Sequence, residues 1–167
     1  LVYKKGTLGC LQDHAKAVKW FTLAGEQGEK HSQNFLGAMH LEGEGIIRDI
    51  TEAIKWLRLA GEQGVMTAQA SLGDLFCEGV DIKQDYIEAI KWHRLAADQG
   101  NSDSSKSIGD MYSEEGDLED HVEAGRWYRL YVILLQEEAA EGHETAQWSL
   151  GEMYLEGEFI PQSNSAA

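Results

Sequence analysis

Cysteine is scarce: Cys10 and Cys77 are the only two in 167 residues, and no C-x-x-C pair occurs. No disulfide framework or thiolate metal site is therefore expected, and both read as free thiols. Long apolar runs are missing as well. The longest, Leu130 to Leu135, is far too short to cross a bilayer core of about 30 Å, so no membrane span is expected. Basic charge is in deficit, with 14 Lys and Arg against 29 Asp and Glu and a formal net charge of -15. Such a surface repels phosphate backbones and anionic lipid. Nucleic acid and membranes are not the expected partners; the acid serves solubility or attracts a basic partner.

Catalytic patterns are equally sparse. The six histidines never form H-x-x-x-H and have no cysteine at ligand spacing, which gives no basis for a metal site. Acidic pairs such as Glu114-Glu115 and Glu137-Glu138 read as solvated helix faces, because no base, nucleophile or phosphate-cradling loop accompanies them. No enzyme and no cofactor is expected.

Against these absences stands a repeat. Trp20, Trp56 and Trp92 recur at intervals of 36 residues, and Trp127 follows after 35. Ala17, Ala53, Ala89 and Ala124 precede each tryptophan by three, and Ala24, Ala60 and Ala96 follow by four, so these residues share one helical face. Asp13, Asp49, Asp85 and Asp120 stand seven before and read as N-caps. Glu52, Glu88 and Glu123 sit three further on as capping-box partners expected to reach back to the cap amide. Gly28, Gly64 and Gly100 close these helices.

A second helix type carries Leu36-Gly37, Leu72-Gly73, Ile108-Gly109 and Leu150-Gly151, followed by His40, Phe76, Tyr112 and Tyr154 and closed by Gly43, Gly79, Gly116 and Gly157. An interior helical glycine costs about 1 kcal/mol against alanine, so its return at one position implies a helix approaching too closely for a Cβ. The caps and glycines predict helices over 31–42, 50–63, 67–78, 86–99, 103–115, 121–141 and 145–156, with no strand.

The set Leu-Gly-x-x-Tyr-x-x-Gly, then Asp, Ala-x-x-Trp, Ala and Gly, resembles the Sel-one-like repeat, a relative of the tetratricopeptide repeat. The resemblance implies an all-α solenoid, a right-handed α-α superhelix of antiparallel helix pairs whose Leu-Gly helices line the concave side. It also implies a scaffold or adaptor that binds protein. The units fall at 1–28 (partial, opening with Tyr3 and Gly6 at a helix end), 29–64, 65–100, 101–142 and 143–167 (partial). One helix pair cannot bury its apolar face alone, so stacked neighbours share a core. Trp20, Trp56, Trp92 and Trp127, Leu36, Leu72 and Leu150, and Gly37, Gly73, Gly109 and Gly151 are expected there.

Two surfaces are expected to be individual. With Ala68, Leu72, Leu75 and Phe76 facing the core, the opposite ridge of each Leu-Gly helix includes Asn34, Met66, Asp74, Lys106, Asp110, Trp148 and Glu152. These positions vary while the core repeats, the pattern of a shared scaffold carrying its own binding face. On the other helix type, Lys19, Lys55, Lys91, Arg58, Arg94 and Arg129 are expected to decorate the outer face. The second surface follows Trp127, where seven added residues delay the closing glycine to Gly142. Seven preserve helical phase, so the helix should gain about two turns. Val132 and Ile133 leave its apolar stripe and either help cap the last helix or meet another chain, a second copy included.

Overall fold

The structure is a computed structural model that describes residues 13–114 and 118–157. Expectations for Tyr3, Gly6, Cys10, Glu115, Gly116 and the last residues lie outside that range. The described residues form eight helices and no strand: α1 (His14–Glu26), α2 (Lys30–Glu42), α3 (Ile50–Glu62), α4 (Met66–Glu78), α5 (Tyr86–Ala97), α6 (Ser102–Ser113), α7 (His121–Ala140) and α8 (Glu144–Glu156). The Leu-Gly helices are α2, α4, α6 and α8; the tryptophan helices are α1, α3, α5 and α7. Packing divides the chain after Ala68, within α4. In the first unit α2 packs on α1 and α3; in the second α6 packs on α5 and α7, and α8 on α7.

The four aspartates cap as their sequence position demands. Asp13 accepts from the amide of Lys16, Asp49 from Thr51 and Glu52, Asp85 from Glu88, and Asp120 from Val122 and Glu123. The capping-box glutamates behave otherwise. The amides of Asp49, Asp85 and Asp120 donate to the carbonyls of His40, Phe76 and Tyr112, at 3.0, 2.9 and 2.9 Å. With that donor spent on the preceding helix, Glu52, Glu88 and Glu123 pair along their own helices with Lys55, Lys91 and Arg126. A backbone link between consecutive helices thus replaces the local capping bond.

The recurring glycine is a socket. A Cβ on Gly37 would lie 2.5 Å from Leu57 Cγ, one on Gly73 2.5 Å from His93 Cδ2, and one on Gly109 2.7 Å from Tyr128 Cε1. In every case the knob is the residue after the repeat tryptophan, delivered by the following helix. Leu36, Leu72 and Ile108, each one residue before the glycine, are at most 1% exposed. Gly151 departs from the pattern, because among the described residues nothing lies within 4 Å of its Cβ position, and Leu150 is only partly buried.

The tryptophans divide similarly. Trp56 and Trp92 are buried, and Trp127 packs beside the Ala89–Ile108–Met111 cluster with Arg94 over its ring at 5.7 Å. Trp20 is 64% exposed, against expectation. Trp56 reaches the bare backbone of Gly25 on α1; among the described residues no helix precedes α1 to serve Trp20 in that way. The lysines before three tryptophans are less idle than outer-face decoration suggests. Lys19, Lys55 and Lys91 hold their ammonium groups 5.7, 5.5 and 5.1 Å from the rings of Trp20, Trp56 and Trp92, within cation-π range.

Buried glutamines form a further repeated link. Gln33 donates to the carbonyl of Gly25 (2.9 Å) and accepts from Gln63 (2.7 Å); Gln69 accepts from Gln99 (2.6 Å). Gln63 and Gln99 directly precede the closing glycines. The third register breaks this link: Ser105 replaces the buried glutamine, its Oγ has no hydrogen-bond partner among the described residues, and Glu141 precedes Gly142.

That break coincides with the longer helix. α7 has 20 residues where α3 has 13, so the insertion is helical. Its added turns join Tyr131, Val132 and Leu135 to Ala146 and Met153 of α8 in one buried cluster, and Gln147 donates to the carbonyl of Ala139 at 3.0 Å. Of the two readings for this pair, Val132 takes the capping one, 7% exposed against α8, and is no longer a candidate partner contact, while Ile133 is 53% exposed. α8 occupies the side of α7 that the repeat stripe alone leaves bare.

His93 is the polar knob of the set. It is 1% exposed, with Nδ1 at 3.1 Å from Ser104 Oγ, and burial pushes its pKa down to about 4.

Two predictions follow from the sockets. Gly73→Ala should destabilise by about 1–3 kcal/mol through overpacking, whereas Gly151→Ala, in open helix, should be neutral or stabilising by up to about 1 kcal/mol; urea unfolding of both variants checks this. The second concerns pH. The unfolded chain protonates this histidine near pH 6.5 and the folded one only near 4, so stability is fully present above 6.5 and falls as pH drops through that window, by on the order of 3 kcal/mol. His93→Leu, which copies the Leu57 knob, should remove that part of the slope in unfolding curves measured across the window.

Candidate functional site

The ridge residues lie on the helices that carry the sockets, one residue beyond the glycine or a turn away. In the first unit Asn34 is half-buried on α2, and Met66 is half-buried at the start of α4. The position after the glycine is Ala38 and the knob on Gly37 is Leu57, so both of these positions are apolar.

In the second unit the same position is acidic and the knob is polar. Asp110 follows Gly109, and its Oδ1 accepts from the Tyr128 hydroxyl at 2.8 Å while its Oδ2 takes the Lys106 ammonium at 2.9 Å. Ser113 Oγ donates to the Gly109 carbonyl at 2.9 Å and lies 3.0 Å from the same hydroxyl. The bond to Asp110 holds the Lys106 pKa above the ordinary lysine value. Burial foremost raises Tyr128. Asp110 is therefore a satisfied carboxylate.

Asp74 follows Gly73, and the nearest polar atom of its knob is His93 Nε2, 3.6 Å from Oδ1. That is too long for a hydrogen bond, and among the described residues Nε2 has no other partner. Partial burial, then the negative charges of Glu78 and Asp103, raise the Asp74 pKa above the ordinary carboxylate range. The thiol of Cys77 is raised by burial first and then by Glu114, Asp74, Glu78 and Asp110. Tyr86 donates to Glu114, and this bond pushes its hydroxyl up to about 12. Along α4, α6 and the C-cap of α6 this unit thus carries Asp74, Glu78, Asp103, Asp110 and Glu114, while the one Lys or Arg on those two helices, Lys106, is paired with Asp110.

On α8, Trp148 is 69% exposed and Glu152 is exposed, with Tyr154 and Leu155 open beside them. Sequence reasoning named Asp74, Lys106 and Asp110 but not Glu78, Asp103, Glu114, Tyr128 or His93. The polarity of the residue after each tryptophan, set against the residue after each glycine, was the available signal.

Other surfaces offer less chemistry. An open depression of about 470 Å³ runs along α5, lined by Ile87, Ile90, Lys91, Arg94, Leu95 and Asp98, and it contains no nucleophile with an adjacent base. Among the described residues no group of three or more His, Cys, Asp or Glu side chains could hold a metal, and no helix is long and apolar enough to cross a membrane.

Comparison with known proteins agrees with this architecture. The chain is similar over 92% of its length to an Oxalobacter formigenes Sel1 repeat protein, at 27% identity and TM-score 0.66, covering 75% of that chain. It is similar over the same share, at 23% identity and TM-score 0.67, to c5321, a protective antigen of uropathogenic Escherichia coli strains with an SLR fold. Of that antigen it spans 39%. No curated protein matches by sequence. The Sel1 repeat family model matches residues 1–29, 30–65, 67–101 and 145–167; the unmatched stretch contains the lengthened α7. With its glycine sockets, capped tryptophan helices and these matches, the chain belongs to the Sel1 repeat family and has the all-α solenoid fold.

Proposed function

We propose that this chain binds a protein segment on the ridge of its Leu-Gly helices, the concave side of the family fold, with no catalytic step. Sel1 repeats are commonly protein-interaction modules and typically non-catalytic, which supports a general protein-binding scaffold. The finer reading rests on one observation. The glycine socket repeats at Gly37, Gly73 and Gly109, while the next residue changes from Ala38 to Asp74 and Asp110; scaffold and surface vary independently on the same helices. Candidate contacts are Asn34 and Met66 in the first unit, and Asp74, Lys106, Asp110, Trp148 and Glu152 in the second. Trp148 is the strongest anchor, because a large amphipathic ring loses much exposed area on docking.

A second reading is self-association, favoured by α8, whose Gly151 socket is empty and whose Tyr154 and Leu155 are exposed. Ile133 belongs to that reading; Val132 no longer does. Sedimentation across a concentration series separates it, since a scaffold for other proteins stays at one size.

Photo-crosslinking in the native host tests the leading reading. Benzoylphenylalanine in place of Asn34 or Lys106 should yield discrete adducts, while the same group at Lys55 or Lys91 should not. Trp148→Ala and Met66→Ala should then weaken capture of the adduct protein with less than about 0.5 kcal/mol change in stability. Trp56→Ala should instead unfold the chain more easily, by about 3–5 kcal/mol. Adducts confined to the lysine positions would place the binding face on the opposite side.

A further inference from the structure

The acidic ridge of the second unit is unevenly satisfied. Asp110 has both a cation and a hydroxyl donor. Lys106 is committed to Asp110, and Tyr86 serves Glu114. Asp74, Glu78 and Asp103 have no such partners: Glu78 and Asp103 make no side-chain hydrogen bond or ion pair among the described residues, and Asp74 has only the buried His93 ring beyond hydrogen-bond distance. Burial holds the imidazole neutral at physiological pH, so it supplies no counter-charge. Glu78, one turn along α4, and Asp103 on α6 both act on Asp74, and the three carboxylates lack a cation among the described residues, although 60% of the Asp74 side chain faces solvent.

His93 adds an independent sign. A side chain 1% exposed sends an unpartnered nitrogen toward the one carboxylate of the group that adjoins a glycine socket. Nδ1 is held 3.1 Å from Ser104 Oγ, which fixes the ring so that Nε2 faces Asp74. The first unit has nothing comparable, since Ala38 and Leu57 occupy the same two positions.

We propose that Asp74, Glu78 and Asp103 form a receptor for an arginine-bearing segment of the protein partner, an inference that rests on the concave-ridge reading above. A guanidinium suits the site because its five donors spread in a plane and can satisfy more than one carboxylate, and because it is less strongly hydrated than an ammonium. Charge complementarity favours this occupant over an apolar helix, which would bury the three carboxylates without a cation.

The test uses the whole chain and a fluorescein-labelled Gly-Ser peptide carrying several arginines, with an otherwise identical citrulline peptide as its neutral control. Anisotropy is read at about 0.15 M salt, where diffuse attraction is screened beyond about 8 Å. The arginine peptide should bind and the citrulline peptide should not. Asp74→Asn/Asp103→Asn should weaken binding about tenfold, and Glu78→Gln, at an exposed position, should weaken it separately. Glu26→Gln/Glu62→Gln, which removes equal charge from the first unit, should change it less than about twofold. Equal losses from the two double variants, or no arginine binding, would overturn the proposal. Crosslinking the bound peptide from Ala70 and from Lys91 separates the two levels of inference. Capture at Ala70 with no effect of Asp74→Asn/Asp103→Asn defeats the receptor and leaves the ridge reading standing, whereas capture at Lys91 alone defeats both.

Discussion

A glycine that lets a neighbouring helix come closer than any Cβ permits is the contact on which the rest of this fold depends. Gly37, Gly73 and Gly109 each accept the residue that follows a repeat tryptophan, with an added Cβ falling at 2.5, 2.5 and 2.7 Å from it. The helix surrenders about 1 kcal/mol of propensity at each glycine. The return is close packing of two backbones and full burial of the preceding Leu or Ile. Once the knob is seated, the aspartate cap reaches the carbonyl of the aromatic position, as Asp85 does with Phe76, and consecutive helices are joined through the backbone as well as through apolar area.

The same geometry carries information from core to surface. A polar knob pressed onto a glycine reaches the next residue, as His93 Nε2 does at 3.6 Å from Asp74 Oδ1 and the Tyr128 hydroxyl does in donating to Asp110. Leu57 stands with Ala38, His93 with Asp74 and Tyr128 with Asp110. A hydroxyl there satisfies a carboxylate fully; a buried neutral imidazole does not. The two acidic registers of the second unit consequently differ in what they have left to offer a ligand, although they look alike in sequence.

Much of the fold was legible because two periods were superimposed, one of about 36 residues marking units and one of 3.6 marking faces. Helix bounds, caps and the packing role of Gly37, Gly73 and Gly109 followed from them. What a period cannot reveal is which neighbour is absent. Trp20 and Gly151 carry the repeat's signature but lack a described helix to pack against, so one is exposed and the other empty. For Val132 and Ile133 the period left two alternatives open, because the stripe of the regular units does not show how far α8 covers α7; Val132 packs with Ala146 and Met153, and Ile133 stays exposed. The capping-box glutamates were misjudged because local sequence does not show that a distant carbonyl competes for the cap amide. Of the candidate site, the carboxylates were visible as ridge positions, but their unequal satisfaction depends on His93 and Tyr128, residues that lie 18 or 19 positions away and meet them only through the sockets.

The seating of those knobs is the feature on which the fold and the acidic ridge both depend. Proton NMR of the intact chain would report it through nuclear Overhauser contacts from the Gly73 α-protons to the His93 ring and from the Gly109 α-protons to the Tyr128 ring. Seated rings predict strong cross-peaks and glycine α-proton shifts displaced by the ring currents. Ordinary glycine shifts without those cross-peaks, in a chain that is otherwise folded and helical, would contradict it.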